Sequence, residues 1–83
     1  MDATARNTAR VHRAAAASLR REAARLRAAA PALEDEHRTA YGVVVRPRAA
    51  ALADADRCDR QADEHALAAL DLTEDPLPQL VAP

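Results

Sequence analysis

Two Asp-Glu-His triplets are the residues of this sequence whose types and spacing come closest to a metal site. They occupy residues 35–37 and 63–65. Glu34 precedes His37 by three residues, the spacing used by carboxylate metal sites in helical bundles. Such a site also needs carboxylates from facing helices, and the first helical segment offers only Glu22. A metal-holding helical bundle is therefore an alternative interpretation, and we expect these histidines to pack in a helix interface or face solvent.

Cys58 is the only cysteine of the sequence, and it precedes His65 by seven residues. On a helix these two side chains would share one face and could bind a soft metal across a dimer axis. In an alanine-rich surrounding, a small buried hydrophobic residue is the expected role of Cys58. A single cysteine forms no intrachain disulfide, which favours a reducing compartment and predicts a cytoplasmic protein.

The sequence offers little for catalysis. With one glycine and one serine, it can form neither a glycine-rich phosphate loop nor a serine nucleophile elbow. No apolar run reaches the ~18 residues that a membrane-spanning helix needs. We therefore expect a protein that is not an enzyme, uses no cofactor and does not enter a membrane.

Arginine recurs every seven residues near the N-terminus, in what we call the arginine row: Arg6, Arg13, Arg20 and Arg27. Residues 1–30 carry seven arginines against two acids, and the remainder carries five against eleven acids. Opposite charge predicts that the basic segment pairs with the acidic one, each exposed pair contributing ~0.2–1 kcal/mol. The alternative is a row of phosphate contacts in a nucleic-acid-associated protein. The sequence has no lysine and one aromatic residue, which disfavours this alternative.

Two long helices must position these residues. Residues 3–30 contain neither glycine nor proline and stop at Pro31, which predicts a helix about 40 Å long. Pro47 is expected to begin the other long helix, which runs to about Leu72.

The connector between the long helices contains both helical and extended signals. We predict a short helix over residues 32–40, with acidic residues near its N-terminal end and Gly42 closing it. Three consecutive valines follow, so residues 41–45 are predicted to form an extended segment or short strand. The predicted domains are a helical hairpin over residues 1–72 and a proline-rich apolar tail over 73–83.

Each long helix carries a seam, which is a row of a and d heptad positions. The first seam contains Ala9, His12, Ala16, Leu19, Ala23, Leu26, Ala30 and Leu33. The second seam contains Ala51, Ala55, Cys58, Ala62, His65, Ala69 and Leu72. Small residues at alternate positions let helix axes approach to near the lower end of the usual ~8–10 Å range. The predicted fold is an all-α antiparallel hairpin, two of which would form a dimeric four-helix bundle.

Large apolar side chains are scarce for a domain of this size. Alanine accounts for 24 of the 83 residues, against nine leucines and five valines. Chains this short rarely form a sufficient core without a staple or a partner. We therefore expect a homodimer that associates through the seams, because a lone chain would leave both seams exposed.

The tail combines three prolines with Leu77, Leu80 and Val81. This composition is typical of a segment that docks in an extended conformation into an apolar groove of a partner, or that caps the chain's own bundle.

The use of arginine without lysine is typical of a GC-rich bacterial or phage genome. The functional hypothesis is a small non-enzymatic adaptor or regulatory protein that binds itself and another protein as a helical-bundle oligomer.

Overall fold

The computed structural model describes residues 3–73, and the predicted docking residues Leu77, Leu80 and Val81 lie outside them. Its long elements are α1, Ala3–Ala29, and α2, Pro47–Thr73, of 27 residues each. Contacts that move forward along α1 move backward along α2, as Arg27–Asp56 and Arg20–Asp63 illustrate. The two predicted long helices and a mainly helical fold are therefore confirmed, and the helices are antiparallel.

Pro31 ends α1 in the predicted place, but a single 3-10 turn over Ala30–Ala32 follows the helix. Leu33 then adopts an extended backbone with ψ of 154°. Its amide donates to the carbonyl of Ala30 at 3.0 Å, which satisfies one of the free carbonyls at the helix end.

A short β-hairpin forms most of the connector, so the predicted helix over residues 32–40 is wrong. Strand β1, His37–Arg38, pairs antiparallel with β2, Val44–Val45. A nine-residue helix is marginal in water, and the three consecutive acids at its start offer no apolar face. The β-branched valines instead favour strand pairing.

The turn of this hairpin also explains why Gly42 does not close a helix. Gly42 has φ of +82°, a left-handed conformation that glycine adopts without strain. Its amide donates to the Thr39 carbonyl at 2.9 Å, and the Thr39 amide donates to the Val43 carbonyl at 2.8 Å. The glycine therefore closes a strand-to-strand turn. The extended conformation predicted for 41–45 is confirmed at Val44 and Val45.

Arg48, in the first turn of α2, fastens the connector to the helices. Its guanidinium donates to the carbonyls of Ala30 at 3.2 Å, Pro31 at 3.4 Å and Leu33 at 2.8 Å, and it pairs with Asp35. Its amide also donates to the Glu34 carbonyl at 3.2 Å. One side chain thus satisfies carbonyls left free where α1 ends.

The core of the described chain consists of alanine. The buried residues among positions 3–73 are Ala9, Ala16, Ala23, Ala30, Ala51, Ala55, Ala62 and Ala69. No larger apolar side chain in this range is fully buried. At ~0.8 kcal/mol for each buried methyl group, these side chains contribute on the order of 6 kcal/mol of hydrophobic stabilisation.

Candidate functional site

The structure places the two seams against each other within one chain. Their alanines are the buried residues described above. The larger seam residues are half-buried: His12, Leu19, Leu26, Leu33, Cys58, His65 and Leu72. The premise that a lone chain exposes both seams therefore does not hold for the alanines, because each seam covers the other. Association between copies through these half-buried residues stays a prediction.

Two histidines meet across the helix interface toward the open end, where the start of α1 lies beside the end of α2. The Nδ1 atoms of His12 and His65 are 2.8 Å apart and partly buried. Such a bond requires a proton on one Nδ1 atom and a free lone pair on the other. The pair therefore forms a polar layer within an otherwise apolar seam.

The orientation of the two imidazole rings suits a hydrogen bond better than a shared metal ion. The ring centres are 5.1 Å apart. The two Nδ1 atoms are 2.8 Å apart, and the remaining separation equals the two distances from a ring centre to its own Nδ1 atom. Both Nδ1 atoms therefore lie on the line between the ring centres. A metal would need both lone pairs to converge on a third point, ~2.0–2.1 Å from each nitrogen.

The other residues considered as metal ligands have structural partners or lack companions. In the connector, His37 bonds to Glu34 at 3.1 Å and Arg46 lies 3.5 Å from Glu36. Cys58 is a free, half-buried thiol in the seam. Within residues 3–73, no three histidine, cysteine or acidic side chains come close enough to hold a metal ion. The two triplets therefore do not converge on one site in this range.

Two members of the arginine row, Arg20 and Arg27, form ion pairs between the helices. Arg27 contacts Asp56 at 2.9 Å and Asp59 at 2.6 Å, and Arg20 contacts Asp63 at 2.8 Å. Hydrogen bonds to Asp59 and then to Asp56 raise the pKa of Arg27 above its ordinary value. Pairing of the basic helix with the acidic one, as the charge distribution predicts, is confirmed at these positions. Two guanidinium groups of the proposed phosphate row are thereby engaged with carboxylates.

The opposite flank of the hairpin has charge pairs of another kind. Glu22 pairs with Arg25, and Asp54 pairs with Arg57, in each case three residues apart on one helix. The hydrogen bond from Arg25 lowers the pKa of the Glu22 carboxyl, although burial opposes this shift. These pairs support single helices and do not join α1 to α2.

Arg13 interrupts the regular series of ion pairs. The next matching positions are Arg13, seven residues before Arg20 on α1, and Leu70, seven residues after Asp63 on α2. Arg13 forms no hydrogen bond or ion pair with any residue in the described range 3–73. Leu70 is 46% exposed. Among the described residues, Arg13 therefore lacks the cross-helix carboxylate that Arg20 and Arg27 contact.

An apolar groove opens where the carboxylate is missing. It has a volume of about 410 Å³ and lies between α1 and α2, with Arg13 at one end and Arg20 at the other. The residues between them are Ala16, Ala17, Ala66, Ala69 and Leu70. We call this the open-end groove. A polar depression of about 570 Å³ adjoins it at Arg13 and is also lined by Arg6, Asn7 and Arg10.

Sequence reasoning missed two features of this surface. The anchoring role of Arg48 had no signal beyond its place beside Pro47, because its bonds go to backbone carbonyls. The groove had a weak signal in the series Asp56, Asp63, Leu70, in which an apolar residue replaces an acid at the third heptad position.

Comparison with known proteins gives no family for this chain: no protein-family model, curated protein or solved structure matches it. Neither helix in residues 3–73 contains a segment long and apolar enough to cross a lipid bilayer.

Proposed function

We propose that this protein is a non-enzymatic interaction protein that acts as a homo-oligomer of helical hairpins and presents that assembly to another protein. The supporting observation is the contrast between the core and the surface. Fully buried side chains among residues 3–73 are alanines, whereas Leu52, Leu67 and Leu70 are each at least 41% exposed. Exposed leucines on a chain with so small a core favour burial against a partner.

The polar groups of the hairpin also favour an interaction role over catalysis. The cross-helix carboxylates bond to arginines, and the partly buried histidines bond to each other. Such groups hold the helices in position. Within residues 3–73, none of these carboxylates or histidines lies unpaired beside a pocket, where it could act as a nucleophile or a base. We infer an adaptor or regulatory role in the cytoplasm, where a free half-buried thiol such as Cys58 stays reduced.

Sedimentation velocity and thermal melting over a range of concentrations test the oligomer. The chain has a mass of 8.9 kDa, and we expect a species of twice that mass at micromolar concentrations. The melting temperature should rise with concentration, because folding is then linked to association. A folded monomer with a concentration-independent melting temperature would contradict the proposal.

The adaptor role needs a second measurement. Affinity capture of the full chain from its native host, followed by mass spectrometry, should recover one partner protein in a fixed ratio. The nucleic-acid alternative predicts instead a mobility shift of DNA or RNA that weakens steeply with salt. Such a shift, without a protein partner, would favour that alternative.

A further inference from the structure

A surface whose charge and shape complement the open-end groove lies on α2 of the same chain. Glu64 and Asp71 are exposed and lie seven residues apart, about 10.5 Å along the helix. Neither forms an ion pair with any residue in the described part of the chain. Leu67 lies between them and is 61% exposed. At spacings of three and four residues, these side chains share one strip of the helix surface, which we call the acidic strip.

The spacing of the acidic strip matches that of the groove. Arg13 and Arg20, at the two ends of the groove, are also seven residues apart and about 10.5 Å along their helix. Between them the groove is lined by alanines and Leu70, with room for one further leucine side chain. A helix placed over the groove can therefore insert an apolar side chain while one flanking carboxylate approaches Arg13. The other carboxylate then lies beside Arg20, which already pairs with Asp63.

We propose that the open-end groove is the self-association site of this protein, occupied by the acidic strip of a second copy. In this arrangement Leu67 of one copy enters the groove of the other, and Glu64 pairs with Arg13, which has no ion-pair partner among residues 3–73 of its own chain. The proposal rests on the proposed function, since it requires a homo-oligomer. It assigns that association to the outer surface and leaves the seams within each chain.

A second copy fits this groove because one chain carries both complementary surfaces. Leu70 lines the groove and lies three residues from Leu67, so the groove and the acidic strip are neighbours on the same side of α2. Each copy can therefore give its strip and receive its partner's strip about a two-fold axis. Such an isologous contact closes as a dimer and does not extend into a filament.

Sedimentation equilibrium of full-length variants tests the site at low salt. Leu67→Asp should abolish dimer formation, because it places a carboxylate in an apolar groove. Val11→Asp is the matched control, since Val11 is 60% exposed on α1 and does not line the groove. Circular dichroism should show that both variants keep the helicity of the parent, because both sites are exposed.

A charge exchange tests the predicted pair directly. Arg13→Glu and Glu64→Arg should each weaken the dimer about tenfold, because each places like charges together at two symmetry-related positions. Combining the two changes in one chain should restore dimer stability to near that of the parent, since the pair is rebuilt with opposite polarity. Arg21→Glu, at an exposed position away from the groove, is the control and should not rescue Glu64→Arg.

The outcomes separate this inference from the proposed function. A chain that is monomeric at all concentrations would overturn both. A dimer that survives Leu67→Asp, or charge variants that fail to rescue each other, would overturn only the groove assignment. Association would then use another surface, and the groove would be left to a different occupant, such as a second protein or an anionic amphiphile.

Discussion

The two ends of this hairpin are held together by different interactions. At the closed end, where the connector joins the helices, Arg48 bonds to three backbone carbonyls and Arg27 bonds to two aspartates. At the open end, the described residues include a cross-helix hydrogen bond between His12 and His65, and the open-end groove beside it is apolar. The closed end is therefore specified within one chain, whereas the open end presents groups that a partner can satisfy.

The largest expected effect comes from breaking the closed end. Arg48→Ala should lower the free energy of unfolding by about 2–4 kcal/mol, because charge-assisted hydrogen bonds to several carbonyls are lost together. Arg48→Lys should recover little, since an ammonium group cannot reproduce the geometry of the guanidinium. Urea denaturation followed by circular dichroism measures both changes.

Arg46 provides a matched control for this experiment. It lies two residues away and makes an exposed contact of 3.5 Å with Glu36. Arg46→Ala should therefore change stability by less than about 1 kcal/mol. Equal losses in the Arg46 and Arg48 variants would show that the carbonyl contacts do not hold the closed end.

The closed end also shows which parts of the fold the sequence specifies. Both long helices follow from proline positions and heptad spacing, since these local signals agree with the packing of one seam on the other. The structure of the connector could not be predicted from such local signals, because its acidic residues favour the start of a helix while Gly42 and the valines favour a hairpin. Arg48 bonds to the carbonyls of Ala30 and Leu33, and a local sequence pattern does not contain such contacts between distant residues.

At the candidate site, the sequence patterns predicted which residues lie at the helix interface better than they predicted which residues contact each other. Heptad spacing identified the buried alanines and the arginine row. It did not indicate that His12 would face His65, because the relative shift of two antiparallel helices depends on the length and shape of the connector. For the same reason, the sequence did not show that Arg20 has a carboxylate opposite it and Arg13 has Leu70 there.

A smaller effect is expected from breaking the open end. A double-mutant cycle with His12→Ala and His65→Ala should give a coupling free energy of about 0.5–1.5 kcal/mol, since the two rings share one partly buried hydrogen bond. His37→Ala is the control. His37 bonds to Glu34 in the exposed connector, so its change should add to that of His65→Ala without coupling. Strict additivity of the His12 and His65 changes would mean that their contact does not hold the open end.

The smallest effect concerns an ion pair within α1 that does not join the two helices. Glu22 and Arg25 lie on the same helix, and the hydrogen bond from Arg25 lowers the pKa of the Glu22 carboxyl from its ordinary value of 4.5. A carboxyl with a lower pKa in the folded state stabilises that state above its unfolded pKa. This contribution is lost as the pH falls through the folded pKa.

Arg25→Gln should raise the midpoint of the Glu22 titration, measured from its carboxyl carbon by NMR, whereas Arg21→Gln should not. Because both partners are on α1, the midpoint should be the same in the parent and in Arg48→Ala while α1 stays helical. A midpoint that shifted with Arg48→Ala would show that the closed end also controls the charge pairs within α1, and the division between the two ends would then be wrong.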